Sequence, residues 1–330
     1  MSLSKCLAAR AQVFIIAMMT GLIAAGGVAS AQDYPARPIR VIVASSAGGT
    51  SDVFMRAVAE QFQKRTGQPL VIENRAGGAF NIAARACTEA PPDGYTLCVM
   101  PNEPVTYNLF LFKNLGFDPD KGLVPITNLL FMTQTFAVSQ ALNVKTLSEL
   151  AALSKAKPRT LSYSAPAHAQ ALFVERFKEE AGADLVRVPF RGGGDAVTGL
   201  LSGTTPVVFI ALSNLIGQVR AGSVQPLLVD SEKRSALIPD TPTLLESGYR
   251  GDITRSYFGL FAPGGTSQSH ITRIHGIIAD IVADPSFTDR NLIQRGLEPA
   301  ITTSEQFAAF IKQDRAASER IVKASGLEPQ

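Results

Sequence analysis

Cysteine and histidine are scarce in this chain, which has three of each among its 330 residues. Cys6 lies in the N-terminal leader, and the spacings of Cys87, Cys98 and the three histidines match no zinc or other metal motif. The sequence therefore predicts no metal site, and nothing in it indicates another cofactor.

An excess of charge of either sign is also lacking. The chain has 31 Lys and Arg against 28 Asp and Glu, a formal net charge of +3. Binding to nucleic acid or to an anionic membrane surface requires a stronger basic balance than this. We therefore expect neither as a partner.

Several motifs of common enzymes are absent as well. The motif G-x-G-x-x-G and the G-K-[ST] ending of a phosphate loop do not occur, which argues against dinucleotide and nucleoside triphosphate sites. No G-x-S-x-G elbow surrounds Ser46, Ser51 or Ser164. An exported hydrolase whose triad uses His168 stays open as an alternative, because one sequence does not show which side chains meet in space.

The one long uncharged run lies at the N-terminus. Lys5 and Arg10 precede the uncharged run 13–27, and the small residues A-S-A follow at 29–31. This layout is typical of a secretory signal peptide, so we predict that residues 1–31 are removed and that the chain is periplasmic; an uncleaved anchor is the alternative. Without the leader the chain has 29 basic and 28 acidic residues, a net charge of +1.

Cys87 and Cys98 flank the turn P-P-D-G at 91–94. In an oxidising compartment two thiols this close in sequence can form a disulfide that closes a small loop. Two buried, unpaired thiols that act as small hydrophobic residues are the alternative.

Strand and helix patterns alternate along the first third of the chain. An apolar strand at 40–44 leads through a glycine pair into an amphipathic helix at 52–65, followed by a strand at 69–73, a helix from Asn81 and a strand at 95–100. Because crossovers between parallel strands are right-handed, we expect both glycine turns of this βαβαβ unit at one edge of its sheet.

The middle of the chain repeats this plan between residues 160 and 210, whereas 257–324 predicts a buried strand and three helices. Such a tail cannot bury its apolar surface alone, so we expect it to pack on the first domain. The predicted fold class is α/β, with two domains that each contain a mainly parallel sheet flanked by helices. Domain 1 comprises residues 32–133 and 255–330, domain 2 comprises 134–254, and strands near 134–138 and 255–259 cross between them as a hinge.

The glycine turn at 45–52 is the strongest candidate site. A strand that turns directly into a helix aims backbone N–H groups toward one point, which suits a carboxylate or phosphate. The predicted contributors are the hydroxyls of Ser45 and Ser46, the N–H groups of Ala47, Gly48 and Gly49, and Asp52 at the helix start. A tight strand-to-helix connection with Asp52 as a cap is the alternative.

Two arginines and an asparagine loop are further candidates. Arg75 and Arg191 lie at other glycine turns and can bind a carboxylate as forks, or they lie solvated at a rim. The loop that begins at Asn102 can supply an amide to the same cleft, and an ordinary asparagine turn is the competing interpretation.

Several blocks of sequence resemble the periplasmic receptors of tripartite tricarboxylate transporters, known as Bug receptors. They span nearly the whole mature chain: Y-P-A-R-P-I-R (34–40), G-G-x-x-D (48–52), G-Q-P-L-V-I-E-N-R (67–75), P-D-G-Y-T-L (92–97), N-x-x-L-F and F-D-P (108–119), P-F-R-G-G (189–193), P-D-T-P-T-L-x-E-S-G (239–248) and G-L-F-A-P-G-G-T (259–266).

This resemblance implies a two-domain, Venus-flytrap receptor without catalytic activity that closes on a small carboxylate and serves the permease subunits of a tripartite transporter. We expect a monomer. In such receptors loop backbone groups and waters hold the carboxylate, from the turn matching 45–52 and the loop matching 164–168. The predicted ligand-binding residues are Ser45, Ser46, Ala47, Gly48, Gly49, Asp52, Asn81, Asn102, Ser164, Ala165, His168, Arg191, Gly192 and Ala211.

The chain departs from the usual pattern of this family at three places. The tetrapeptide A-S-S-A at 44–47 replaces P-F-P-P, the 164–168 loop is shorter and lacks glycines, and Ile210 and Ala211 stand where an acidic residue is common. Without that acid nothing evident neutralises a ligand ammonium group. We therefore expect a carboxylate without an amine and with an apolar or aromatic body. A receptor that docks on a signalling partner is an alternative output of the same cleft.

Overall fold

The computed structural model describes residues 34–231, 233–248 and 254–329. The predicted signal peptide, residues 1–31, lies outside them. The described residues from Arg37 onward belong to one structural unit, which contains both of the sheets that they form. Within the described residues, none of the helices combines the length and the hydropathy that crossing a membrane requires.

The strands of the described residues form two sheets. In chain order they are β1 (Ile39–Val43), β2 (Leu70–Asn74), β3 (Thr96–Pro101), β4 (Leu123–Met132), β5 (Gln134–Ser139), β6 (Leu161–Ser164), β7 (Leu185–Arg187), β8 (Val207–Ala211), β9 (Val224–Val229), β10 (Ser256–Pro263) and β11 (Leu297–Pro299).

Helices and helical turns connect these strands. In chain order the helices are α1 (Thr50–Thr66), α2 (Asn81–Thr88), α3 (Asn108–Leu111), α4 (Pro119–Gly122), α5 (Leu147–Ala156), α6 (His168–Ala181), α7 (Gly193–Leu201), α8 (Leu212–Arg220), α9 (Gln268–Val282), α10 (Pro285–Asn291) and α11 (Ser304–Ala324).

The first sheet has the strand order β11-β4-β10-β3-β1-β2, and the second has the order β7-β6-β8-β5-β9. We call the sheets with their helices lobe 1 and lobe 2. Strand β1 pairs in parallel with β2 and β3, and β6 pairs in parallel with β7 and β8. Both sheets are mixed rather than mainly parallel as predicted, because β10 and β4 in lobe 1 and β5 and β9 in lobe 2 pair antiparallel.

The chain passes between the lobes twice. Thr133 alone separates β4 of lobe 1 from β5 of lobe 2, and the chain returns to lobe 1 between β9 and β10. The two passages run side by side, since Met132 at the end of β4 pairs with Ser256 at the start of β10. The bonds between Gln134 and Asp230 extend the β5–β9 pairing within lobe 2: the N–H of Gln134 donates to Asp230 Oδ1 (2.6 Å), and the N–H of Asp230 donates to the carbonyl of Gln134 (3.0 Å). The domain limits at 133/134 and 254/255, and a hinge motion about these passages, stay predictions.

The tail packs on lobe 1. Helix α11 begins with a capping box of Thr303 and Gln306. Its Phe307 ring lies 5.7 Å from the ring of Tyr257 and 5.3 Å from that of Phe261, both on β10. These rings belong to the core that also contains Cys87 and Cys98.

Cys87 of α2 and Cys98 of β3 are joined by a disulfide, and both residues are fully buried. The structure thus selects pairing over the alternative of two free thiols. It ties the helix to the central strand of lobe 1 across a separation of 11 residues.

Candidate ligand-binding site

A cavity lies between the lobes. Its polar lining comes from both lobes and consists of Ser45, Thr50, Asn102, Glu103, Gln134, Gln170, Asn214 and Ser256. The rest of the lining is glycine or apolar: Gly49, Phe80, Pro101, Met132, Pro166, Ala167, Gly193, Phe209, Ile210, Ala211 and Phe258. Among these described lining residues, Glu103 is the only ionisable one.

The N-terminal ends of four helices border this cavity. Gly49, Ala167 and Ala211 are the residues that precede α1, α6 and α8, Gly193 is the first residue of α7, and all four line the cavity. No side chain caps any of these four described helix starts. The first turns of a helix have N–H groups without intrahelical acceptors and a partial positive charge, so the cavity suits an anion.

The turn between β1 and α1 is bonded within itself. The N–H of Gly48, whose φ is 79°, donates to Asp52 Oδ2 (2.9 Å), and the N–H of Gly49 donates to the carbonyl of Ser46 (3.1 Å). Ser45 Oγ lies 2.7 Å from Ser51 Oγ. The N–H groups of Gly48 and Gly49, predicted as anion donors, therefore have acceptors in the protein itself.

Asp52 is a structural residue of this turn. Its side chain is buried and lies 2.8 Å from the guanidinium of Arg56. Burial opposes ionisation of Asp52, but hydrogen bonds from Arg56 and from the N–H of Gly48 outweigh it and lower the pKa. Asp52 thus holds the turn that precedes α1 through the N–H of Gly48, without capping the helix, and it does not line the cavity.

The two lobes touch beside the cavity. Thr50 Oγ1 of lobe 1 lies 2.6 Å from Ser213 Oγ and 3.1 Å from Asn214 Oδ1 of lobe 2. The start of α7 and the β1–α1 turn are so close that their backbones are in contact. A Cβ added to Gly194 would lie 2.8 Å from the carbonyl oxygen of Ala47. The two glycine turns therefore face each other across the lobes, and glycine at 194 permits the contact.

The two arginines proposed as forks are engaged at the surface. Arg191 Nε lies 3.0 Å from Asp195 Oδ2 and its side chain is 75% exposed, while Arg75 pairs with Glu73. Neither is among the described residues that line the cavity. Both arginines therefore fit the alternative of solvated side chains at the rim, because each guanidinium pairs with a carboxylate close by in the chain.

His168 lies beside the cavity rather than in its lining. Its ring meets the ring of Phe112 edge-on at 5.8 Å between centroids. Burial, and then the charge of Arg187, lower the pKa of His168 to about 4, so the imidazole is neutral at neutral pH. Pro166 and Ala167 of the same loop line the cavity instead.

Of the predicted ligand-binding residues, Ser45, Gly49, Asn102 and Ala211 line the cavity. The remaining predictions fall outside this described lining: Ser46, Ala47, Gly48, Asp52, Asn81, Ser164, Ala165, His168, Arg191 and Gly192. Asn81, for example, accepts a hydrogen bond from Asn108 Nδ2 (2.7 Å) within lobe 1. The sequence locates turns at the sheet edge, but the direction of each side chain depends on how the lobes meet.

Most residues of the polar lining were not predicted from the sequence. Gln170 and Asn214 lie in the first turns of α6 and α8, so their positions at helix starts after strands were a usable signal. Gln134 and Ser256 begin the strands that follow the two passages between lobes. Glu103 lay inside the asparagine loop that was singled out for its amides.

The buried acid Glu103 has no cation beside it in the described structure. Burial, and then the negative charge of Asp314, raise the pKa of Glu103 to about 7. Burial also raises the pKa of Asp314 to about 7, although Asn102 Nδ2 donates to its Oδ2 at 3.3 Å. No group of three or more His, Cys, Asp or Glu suited to a metal ion occurs in the part of the chain that the structure describes.

Comparison with known sequences gives relatives over almost the entire chain. A family profile described as tripartite tricarboxylate transporter family receptor matches residues 54–327. Protein BugT of Bordetella pertussis is 30% identical over 318 residues, which cover 94% of this chain and 97% of that protein. A protein from the gbd 5' region of Cupriavidus necator is 31% identical over 324 residues, covering 97% of each chain.

Solved structures share the fold. A protein of R. palustris solved with adipate superposes with a TM-score of 0.84 at 28% identity, over 90% of this chain and 100% of that one. MatC of Rhodopseudomonas palustris, solved with bound malate, gives a TM-score of 0.80 at 25% identity, over 88% of this chain and 100% of that one.

Proposed function

Because the chain belongs to the tripartite tricarboxylate transporter receptor family, we propose that it binds a small organic carboxylate between its lobes in the periplasm and delivers it to the permease subunits of a tripartite transporter. The family is one of solute receptors, not of enzymes. Export through a cleaved signal peptide is part of this proposal.

One observation carries the proposed ligand class: four uncapped helix starts border one cavity whose described lining contains no Lys, Arg or His. Backbone N–H groups and helix dipoles are then the positive groups available to a carboxylate. The adipate and malate found in the two structural neighbours support the same class.

The rest of the lining suits an apolar ligand body. Phe80, Met132, Phe209 and Phe258 contribute side chains from both lobes. Burial of apolar surface against them adds to affinity without selecting a particular acid.

The direct test starts from the purified protein. Mass spectrometry of the small molecules released on denaturation is expected to identify a carboxylate, and thermal unfolding of the stripped protein follows with a panel of mono-, di- and tricarboxylates and aromatic acids. Saturation at about 100 times the Kd adds about 2.7 kcal/mol to the stability of the native state. If no member of the panel raises the Tm of the stripped protein, the proposed function is wrong.

Delivery to a permease has its own test. Membranes that contain the cognate permease subunits are expected to retain the ligand-loaded receptor more than the stripped one. If other envelope proteins retain the loaded receptor and membranes with the permease subunits take up no ligand, the receptor acts on a signalling partner instead.

A further inference from the structure

Three side chains that line the cavity each carry an oxygen without a hydrogen-bond partner among the described residues. They are Asn102 through Oδ1, Glu103 through Oε2 and Gln170 through Oε1, and each residue is at most 4% exposed. An acceptor buried without a donor costs free energy, and native proteins contain few of them. Three in the lining of one cavity indicate that the ligand supplies the donors.

The amide nitrogens of the same residues are already engaged. Asn102 Nδ2 donates to Asp314 Oδ2 at 3.3 Å, and Gln170 Nε2 donates to Ser256 Oγ at 3.2 Å. The two amide oxygens are therefore the unpaired groups of these side chains. Asn102 and Glu103 belong to lobe 1 and Gln170 to lobe 2, so a ligand group bonded to all three would bridge the lobes.

The charge of this subsite differs from the rest of the lining. Glu103 is the only ionisable residue among the described lining residues, and its negative charge is opposed by burial rather than balanced by a cation. In lobe 2, Ile210 and Ala211 carry no charge that could neutralise a ligand amine, and for this reason the sequence predicts a ligand without one. The structure supplies an acid from lobe 1 instead.

We propose that Asn102, Glu103 and Gln170 form a subsite for an ammonium group, an inference that rests on the proposed function. The solute is then a carboxylate that also carries a protonated amine. An ammonium group offers three N–H donors, as many as there are unpartnered oxygens. Its charge neutralises Glu103, whereas a hydroxyl would satisfy one oxygen and leave the acid unbalanced. The carboxylate of the same solute lies toward the uncapped helix starts.

Calorimetric titration of the stripped protein with matched acids tests this subsite. The affinities of butyrate, hexanoate, succinate and adipate are each compared with the affinity of the α-amino derivative of the same acid. Butyrate and hexanoate are also compared with their ω-amino derivatives. Succinate is also compared with malate, which carries a hydroxyl in place of the amine. At least one amine is expected to bind about tenfold tighter than its parent acid, as charge-assisted hydrogen bonds produce. The Glu103→Gln variant is expected to reduce this ratio about tenfold, because it removes the negative charge but keeps the shape.

A second variant separates the subsite from general damage. Gln170→Met removes an acceptor oxygen at similar volume and is expected to reduce the same ratio, whereas Gln313→Met, the same change at an exposed position of α11, leaves it unaltered. Parent acids that bind as tightly as every amine would overturn the inference while the proposed function stands. If malate binds more tightly than succinate and the same preference persists in Glu103→Gln, the inference of an ammonium subsite would also be overturned. If no carboxylate binds at all, the proposed function fails first.

Discussion

At the scale of single residues, two of the buried acids contribute to the dependence of the protein's stability on pH. Glu103 and Asp314 have pKa values raised to about 7 by burial, and Asp314 adds its negative charge to the surroundings of Glu103. Since these pKa values lie above those of the unfolded chain, the folded state binds more protons between about pH 4 and 7. The contribution of these two acids to the free energy of unfolding therefore falls as pH rises through this window and stays at its lower value above it.

The Asp314→Asn variant is expected to be more stable than the natural protein at pH 8, by at most about 4 kcal/mol for a pKa difference of this size. The amide oxygen of the replacement side chain would still accept from Asn102. Below about pH 4, where both acids are mostly protonated in either state, the two proteins should have similar Tm values. Thermal unfolding at several pH values measures the difference, and a lower Tm for the variant at pH 8 would contradict this account.

Gly194 also acts as a single residue. The Gly194→Ala variant is expected to weaken ligand binding about tenfold or more, because its Cβ would meet the carbonyl oxygen of Ala47 at 2.8 Å and hold the lobes apart. Gly217→Ala in α8 is the matched control, since a Cβ there meets no atom within 4 Å. Equal affinities of both variants, measured by calorimetry, would show that this contact is not needed for binding.

At the scale of elements, α2 depends on its covalent link to β3. The double variant Cys87→Ser, Cys98→Ser is expected to lower the free energy of unfolding by about 2–4 kcal/mol, because the disulfide constrains the unfolded chain and the replacement hydroxyls would be buried in an apolar core. Urea unfolding measures the loss. Unchanged stability in the variant would mean that packing alone holds the helix.

The elements were largely predictable from the sequence, and the site was not. The strand at 40–44, the helix at 52–65 and the return of the tail to lobe 1 follow from local periodicity and from the need to bury apolar faces. The direction of the strands could not be predicted as well. Strand β10 joins the first sheet only after the chain has formed lobe 2, and local sequence patterns do not indicate with which strand it pairs. The lining escaped prediction for a similar reason: Gln170, Glu103 and Ser256 are distant in sequence, and only the docking of the lobes brings them to one cavity.

At the scale of the whole molecule, ligand binding should change the separation of the lobes. Solution scattering is expected to give a smaller radius of gyration for the ligand-saturated protein than for the stripped protein, because the ligand contacts groups of both lobes and favours the arrangement in which Thr50 meets Ser213. Gly194→Ala should remove most of this difference. Identical scattering curves with and without a bound ligand would contradict the hinge.

The two passages between the lobes, which run side by side where Met132 pairs with Ser256, have a kinetic consequence. A solute enclosed by both lobes leaves only after they separate, so its residence time is set by the frequency of opening as well as by its own contacts. A substitution at Thr133, which is not among the described residues that line the cavity, would then change how long the cargo stays. If the proposed permease pulls the lobes apart, it unloads the receptor without competing for the cargo.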